Sequence, residues 1–143
     1  MALRYFNAAG AHPDGLLGER HDPETHLIPL VLQAASGRTT PIGVLGTDYD
    51  NPEGSCIRDD MHVQDLVEAH LLALDWLLQG KASTAFNLGN GHGFSIREVI
   101  HAVETVTGQR VAVQYLPCRP GDPAILGADR TRARAVLGCH PEY

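Results

Sequence analysis

Residues 85–98 constrain this chain more than any other stretch. Ala85-Phe86-Asn87-Leu88 is a β-prone run, Gly89-Asn90-Gly91-His92-Gly93 sustains neither strand nor helix, and Ser95-Ile96-Arg97-Glu98 is a capping box. In a capping box the serine hydroxyl accepts from the backbone N–H three residues on, and the glutamate reaches back to the serine N–H. The helix begun there runs to about Thr107 and stops at Gly108. Strand, glycine turn and capped helix in immediate succession mark an α/β chain.

The other segments follow the same alternation. Leu3-Arg4-Tyr5-Phe6 reads as a strand ending in the turn-like Asn7-Ala8-Ala9-Gly10. Residues 11–25, rich in Gly, Pro, Asp and His, read as a loop. A helix is expected from Leu27 to Ser36 before Gly37, with Pro29 in its first turn, where a missing N–H costs little. Ile42–Leu45 is a strand candidate, residues 46–56 a polar loop, and Ile57–Val63 one β segment. The longest helix spans Asp65 to Leu78, with Leu66, Ala69, Ala73 and Leu77 at helical spacing. Val111–Tyr115 alternates as a strand, Arg119-Pro120-Gly121-Asp122 is a turn, and Asp129 caps a last helix ending at Gly138. No antiparallel hairpin signature is present, and the order alone gives no sheet topology.

Composition excludes several classes. The chain has 143 residues, enough for one domain with a real core. Its net charge of −6 disfavours binding to a phosphate backbone, so no nucleic-acid partner is expected. No apolar run reaches the roughly 20 residues that span a bilayer, and the N-terminus lacks a signal-peptide apolar core. No membrane partner is expected. Three cysteines, Cys56, Cys118 and Cys139, form no paired spacing, which fits a reducing, cytoplasmic setting without disulfides.

Local motifs leave the chemistry open. The glycine run 89–93 is not a dinucleotide fingerprint, because its third glycine comes one residue early; it reads as a tight turn needing positive φ. His62, Asp65 and His70 do not share a helix face, since five residues rotate by about 500°. No metal site is expected. Ser55, Ser83 and Ser95 all lack the Gly-x-Ser-x-Gly context of a hydrolytic nucleophile. Arg58 and Arg119 stand in short loop contexts, Cys56-Ile57-Arg58-Asp59 and Cys118-Arg119-Pro120-Gly121-Asp122. Guanidinium forks there suit bidentate phosphate contacts or structural Arg–Asp pairs, and spacing alone does not choose.

A family resemblance adds to this. Leu3-Arg4-Tyr5-Phe6-Asn7, Gly10-Ala11-His12, Gly18-Glu19, His26-Leu27-Ile28-Pro29, Gly46-Thr47-Asp48-Tyr49, Arg58-Asp59 with His62-Val63 and Asp65-Leu66, Asn87-Leu88-Gly89-Asn90-Gly91 with Gly93 and Ser95, Arg119-Pro120-Gly121-Asp122, Ala128-Asp129 and Leu137-Gly138 follow one order. In these segments the chain resembles the C-terminal portion of UDP-glucose 4-epimerases, members of the extended short-chain dehydrogenase/reductase superfamily. The resemblance implies an α/β fold: the small C-terminal substrate-binding lobe, with one strand left over from the Rossmann sheet. Residues 1–143 would form a single truncated UDP-sugar-binding lobe without the N-terminal NAD-binding domain.

In the family, NAD takes a hydride from the fourth carbon of the sugar and returns it to the other face, interconverting UDP-glucose and UDP-galactose. The resemblance implies that Asn7 binds the nucleotide-sugar near its phosphates. Phe6 would approach the nicotinamide end. His26 and Leu27 would line the phosphate and uridine region, and Gly43 and Leu45 would bracket the uracil. Arg58 and Arg119 would face the diphosphate, and Asp122 would accept from a ribose hydroxyl. No catalytic residue is expected: a Tyr-x-x-x-Lys pair needs a lysine, the only lysine is Lys81, and position 77 is Leu. Asp60 stands where the family has Tyr, adding a carboxylate near Arg58, Asp59 and Glu53. Cys139 stands in place of a usual Trp, and the sequence stops before the family's last helix. The expectation is a gene remnant or one half of a split isomerase, inactive alone, binding UDP-sugar weakly and no NAD by itself. Its partner would be an N-terminal Rossmann half or an intact epimerase subunit. Alternatives are a non-catalytic interaction partner of an intact epimerase, or a fragment of another nucleotide-sugar dehydratase or decarboxylase.

Overall fold

A computed structural model describes residues 1–38, 41–51 and 53–143. The polar loop expected over 46–56 includes Pro52, which lies outside the described residues. The elements in chain order are β1 (Ala2–Arg4), β2 (Asn7–Ala9), α1 (Leu27–Ala35), β3 (Ile42–Leu45), β4 (Ile57–Arg58), β5 (Asp60–His62) and α2 (Val63–Leu78). There follow β6 (Ala85–Asn87), β7 (Phe94–Ser95), α3 (Ile96–Thr107), β8 (Val113–Leu116), β9 (Ile125–Leu126) and α4 (Thr131–Leu137). The chain divides into two compact units: one of residues 1–19, 59–93 and 126–143, the other of residues 20–58 and 94–125.

The first unit is built on parallel pairing. β1 runs beside β6 with Leu3 opposite Phe86, and β2 runs beside β5 with Asn7 opposite Asp60. The first strand therefore has a neighbour from its own chain, which the sequence reading did not provide. Met61, Leu66, Ala69, Phe86, Leu88, Ala133 and Leu137 form the core beneath α2 and α4. α2 starts at Val63, two residues earlier than expected, because His62 is its N-cap: the ring Nδ1 accepts from the Gln64 N–H at 3.2 Å. Asp65 sits in the first turn, buried, and its carboxylate accepts from the N–H groups of Glu142 and Tyr143 at 2.9 and 3.3 Å. The Tyr143 ring stacks on His62.

Asp59 separates β4 from β5 where the sequence suggested one continuous segment. Its buried carboxylate accepts from Asn90 N–H at 2.8 Å and from Ala128 N–H at 3.0 Å. The glycine run is shaped by these contacts. A Cβ on Gly89 would collide with the Asp59 carboxylate and lie 2.9 Å from the Ala128 Cβ. Gly91 has φ +94° and lies against the Arg130 guanidinium. The turn reading of residues 89–93 thus holds, with positive φ required at Gly91.

In the second unit β3 and β8 run parallel, Val44 opposite Tyr115. α1 and α3 pack together around Val31, Ala34, Val103 and Val111. The capping box forms as expected: Glu98 N–H donates to the Ser95 hydroxyl at 3.1 Å, and Ser95 N–H donates to the Glu98 carboxylate at 2.7 Å. β4 pairs antiparallel with β7, and Ile57 N–H donates to the Ala124 carbonyl at the edge of β9.

Candidate functional site

The turn expected at residues 119–122 closes through Asp122 N–H donating to the Arg119 carbonyl at 3.1 Å, with Gly121 at φ +82°. This turn meets Arg58 at the end of β4. Arg58 Nη2 donates to Asp122 Oδ1 at 2.5 Å, and Nη1 donates to the carbonyls of Ile57 and Pro123 at 2.8 and 2.9 Å. Both side chains are mostly covered, 16% exposed for Arg58 and 22% for Asp122. Of the two roles left open for Arg58, the structural ion pair is present. It does not exhaust the guanidinium: of five N–H groups, three are used among the described residues. Asp122 likewise keeps Oδ2 without a partner among them. Arg119 is exposed on the same turn, three residues before Asp122.

His26 is the N-cap residue of α1, and its Nδ1 lies 2.9 Å from Glu24 Oε1. Leu27 opens the helix and packs against the α1–α3 core. Gly43 and Leu45 lie on the face of β3 opposite buried Val44. A Cβ on Gly43 would come within 2.9 Å of the Leu116 side chain, so glycine keeps that strand position open. Asn7 and Phe6 belong to the first unit. Asn7 Nδ2 donates weakly, at 3.5 Å, to the Asp59 carbonyl. Phe6 is exposed beside a cavity of about 280 Å³ at the carboxyl ends of β1 and β6, lined also by Arg4, Tyr5, Asn87, Gly127, Ala128 and Asp129. Asp60 lies opposite Asn7.

Two clusters escaped the sequence reading. Next to Arg119, the Cys118 thiol donates to Asp48 Oδ1 at 2.9 Å. That bond holds Asp48 below the usual carboxylate range and raises the Cys118 thiol. Tyr49 lies in the same cluster; burial, then the charge of Asp122, raises its phenol. Gly46, at φ +81°, is confined by both: a Cβ there would sit 2.5 Å from the Tyr49 ring and 2.6 Å from the Cys118 sulfur. The other cluster is Glu24 with His26 and His21, whose two rings meet edge to face at 4.7 Å. Lys81, the sole lysine, lies over the Trp76 ring at 4.3 Å.

A family described as "NAD dependent epimerase/dehydratase family" matches residues 1–89, well over half of the chain. The chain belongs to this family. Among the epimerase/dehydratase relatives, UDP-glucose 4-epimerase of Halalkalibacterium halodurans is 50% identical over all 143 residues, which cover 43% of that protein. The Brucella ovis UDP-glucose 4-epimerase structure, in complex with NAD, superposes with a TM-score of 0.96 at 51% identity over 99% of this chain and 44% of its own. The Bifidobacterium longum enzyme, in complex with NAD+ and UDP, gives 0.87 at 40% identity over 99% of this chain and 42% of its own. The chain thus spans less than half the length of these relatives. Among the described residues, no helix is long and apolar enough to cross a membrane.

Proposed function

We propose that this chain supplies the UDP-sugar-binding, C-terminal part of a UDP-glucose 4-epimerase, the isomerase that interconverts UDP-glucose and UDP-galactose. The observation that carries the reading is the bond from Arg58 to Asp122, on the turn that also carries the exposed Arg119. Two guanidinium groups balance a diphosphate, and the second oxygen of Asp122 accepts from a ribose hydroxyl. Asp122 also fixes the plane of the Arg58 guanidinium, so that its remaining N–H groups are oriented before a ligand arrives. Gly43 and Leu45 offer an open strand face for a flat base, with His26 and Leu27 contributing from the start of α1.

NAD is assigned to the part of the relatives' length that this chain does not cover, with only Phe6 of this chain at the nicotinamide end. The glycine run does not fit a pyrophosphate: the Asn90 N–H is donated to Asp59, and Gly91 faces Arg130. No hydride step is derived from these residues. The chain by itself is therefore an inactive binding part that requires an N-terminal Rossmann half. The exposed apolar stripe of α2, Val67, Leu71, Leu74 and Leu78, supports such a partner, as does the adjoining groove of about 520 Å³ lined by Ala8, Leu17, Val63 and Val67.

A coupled assay with UDP-galactose and added NAD tests this. The chain alone should read as background, and adding the N-terminal half of the Halalkalibacterium halodurans enzyme should restore turnover. Turnover by the chain alone, above a heat-killed control, overturns the reading.

A further inference from the structure

Given the N-terminal partner proposed for this chain, on which the inference rests, we infer that the outer face of α2 seats one amphipathic helix of that partner, carrying Lys or Arg along the flank that meets Glu68 and Asp75. Val67, Leu71, Leu74 and Leu78 follow one another at 4, 3 and 4 residues, and each is more than half exposed. Leu66, Ala69 and Ala73, on the other side of the same helix, are buried in the core of the first unit. A 4–3–4 repeat is the seam by which one helix packs lengthwise on another, with the four residues at d, a, d and a. Glu68 and Asp75 each follow a d residue by one, so both stand at e positions on a single flank, and both are exposed. The opposite flank holds His70 and Leu77 and no carboxylate. Residues at e and g select a helix partner by charge.

A second copy of α2 does not match this flank. Two copies packed antiparallel set Glu68 and Asp75 against the same two carboxylates, and like charges there are destabilising. Two copies packed parallel set them against His70 and Leu77, with no lysine or arginine. The exposed seam still draws copies together, but a basic helix displaces them. The sheet says where that helix comes from. Ala2 N–H donates to the Thr84 carbonyl and Leu88 N–H to the Arg4 carbonyl, so β1 turns residues 2 and 4 toward β6 and the backbone of Leu3 toward its other edge. Among the described residues no strand pairs there. Parallel sheets are covered by helices that arrive with their strands. α4 already packs against α2 and β6, so a strand added beside β1 brings the next helix to the part of α2 that α4 leaves open. The relatives have the length to supply it, since this chain covers 43% of the Halalkalibacterium halodurans enzyme.

Two synthetic three-heptad helices test the seam on the full chain, both with leucine at a and d, one with lysine and one with glutamate at e and g. Fluorescence anisotropy should show the wild type binding the lysine peptide about tenfold more tightly than the glutamate peptide, with the difference lost in high salt. Glu68→Lys with Asp75→Lys should reverse the preference, and Leu71→Lys with Leu74→Lys should abolish binding of both. Co-expression with the N-terminal half of the Halalkalibacterium halodurans enzyme tests the source: the two parts should co-purify, and either pair of substitutions should weaken the complex about tenfold or more. Titration of UDP into each variant keeps the two readings apart, because Arg58 and Arg119 belong to the other compact unit. Intact UDP binding with unaltered docking in the variants overturns this inference and leaves the function standing, and loss of UDP binding with the charge reversal observed does the opposite. Equal affinity for the two peptides, an unreversed preference, failure of the two parts to co-purify, or a dimer of the chain that the lysine peptide does not displace overturns the proposal.

Discussion

Arg58 donates to Asp122 at 2.5 Å across 64 residues of sequence, and so ties the end of β4 to the turn that carries Arg119. One ion pair thereby fixes where the Arg58 guanidinium and the Asp122 carboxylate stand. Removing Asp122 leaves a mostly covered guanidinium without its counter-charge, while removing Arg58 also frees the carbonyls of Ile57 and Pro123. Asp122→Ala should destabilise the chain by roughly 1.5–3 kcal/mol, the range for a hydrogen bond to a charged group. Urea unfolding measures this; a midpoint within error of the wild type would show that the pair holds nothing.

The capping box gives a second expectation. Ser95 is fully buried and bonds Glu98 in both directions. Ser95→Ala should cost about 1 kcal/mol, lowering the melting temperature by about 3 °C for a chain of this size. Glu98→Gln, which keeps the reciprocal acceptor, should cost less. Differential scanning calorimetry of the two variants compares them directly.

Asp59 carries the largest expected stability loss. Asp59→Ala strands the N–H groups of Asn90 and Ala128, both now bonded to a buried carboxylate. Each unpaired buried donor costs about 1–3 kcal/mol; these two are part-buried, and losing both at once should cost more than either Asp122→Ala or Ser95→Ala. Hydrogen exchange at Asn90 and Ala128 should rise before exchange in α3 does.

The capping box was legible because its partners are three residues apart and its chemistry is local. The glycine run was legible as a turn, but its cause was not: Asp59 lies 31 residues from Asn90 and 69 from Ala128, and no periodicity links them. For the same reason Ile57–Val63 read as one strand, although Asp59 turns inward and divides it. The start of α2 was displaced because Asp65 looks like a helix-entry carboxylate, whereas His62 caps and Asp65 holds the chain at Glu142 and Tyr143. Arg58 and Asp122 were both named as site residues from resemblance. That they bind each other required the fold.

Cys118 yields a prediction about reactivity. The thiol is exposed but donates to Asp48, which raises it and keeps it protonated at neutral pH. Replacing the acceptor removes the cause of the upward shift, so more thiolate is present at a given pH. Asp48→Ala should therefore be alkylated by iodoacetamide faster than the wild type at pH 8, with the rate profile moved to lower pH. Equal rates in both proteins would show that the carboxylate does not control the sulfur.

The α2 stripe should make the isolated chain associate. Leu71→Lys with Leu74→Lys, both at exposed positions, should reduce binding of a hydrophobic dye and the light-scattering mass, with little change in the melt. Unchanged dye binding would place the exposed apolar surface elsewhere.

The central claim is that the turn joining Arg58, Arg119 and Asp122 binds the diphosphate of a UDP-sugar. Calorimetric titration of UDP into the wild type, Arg58→Ala and Arg119→Ala tests it most directly. A charge-assisted contact contributes about 1.5–3 kcal/mol, so each variant should bind roughly tenfold or more weakly than the wild type. Arg119→Ala is the sharper of the two, because Arg119 is exposed and its loss leaves the Arg58–Asp122 pair in place. Wild-type affinity in both variants, or no UDP binding by the wild-type chain, would contradict the account.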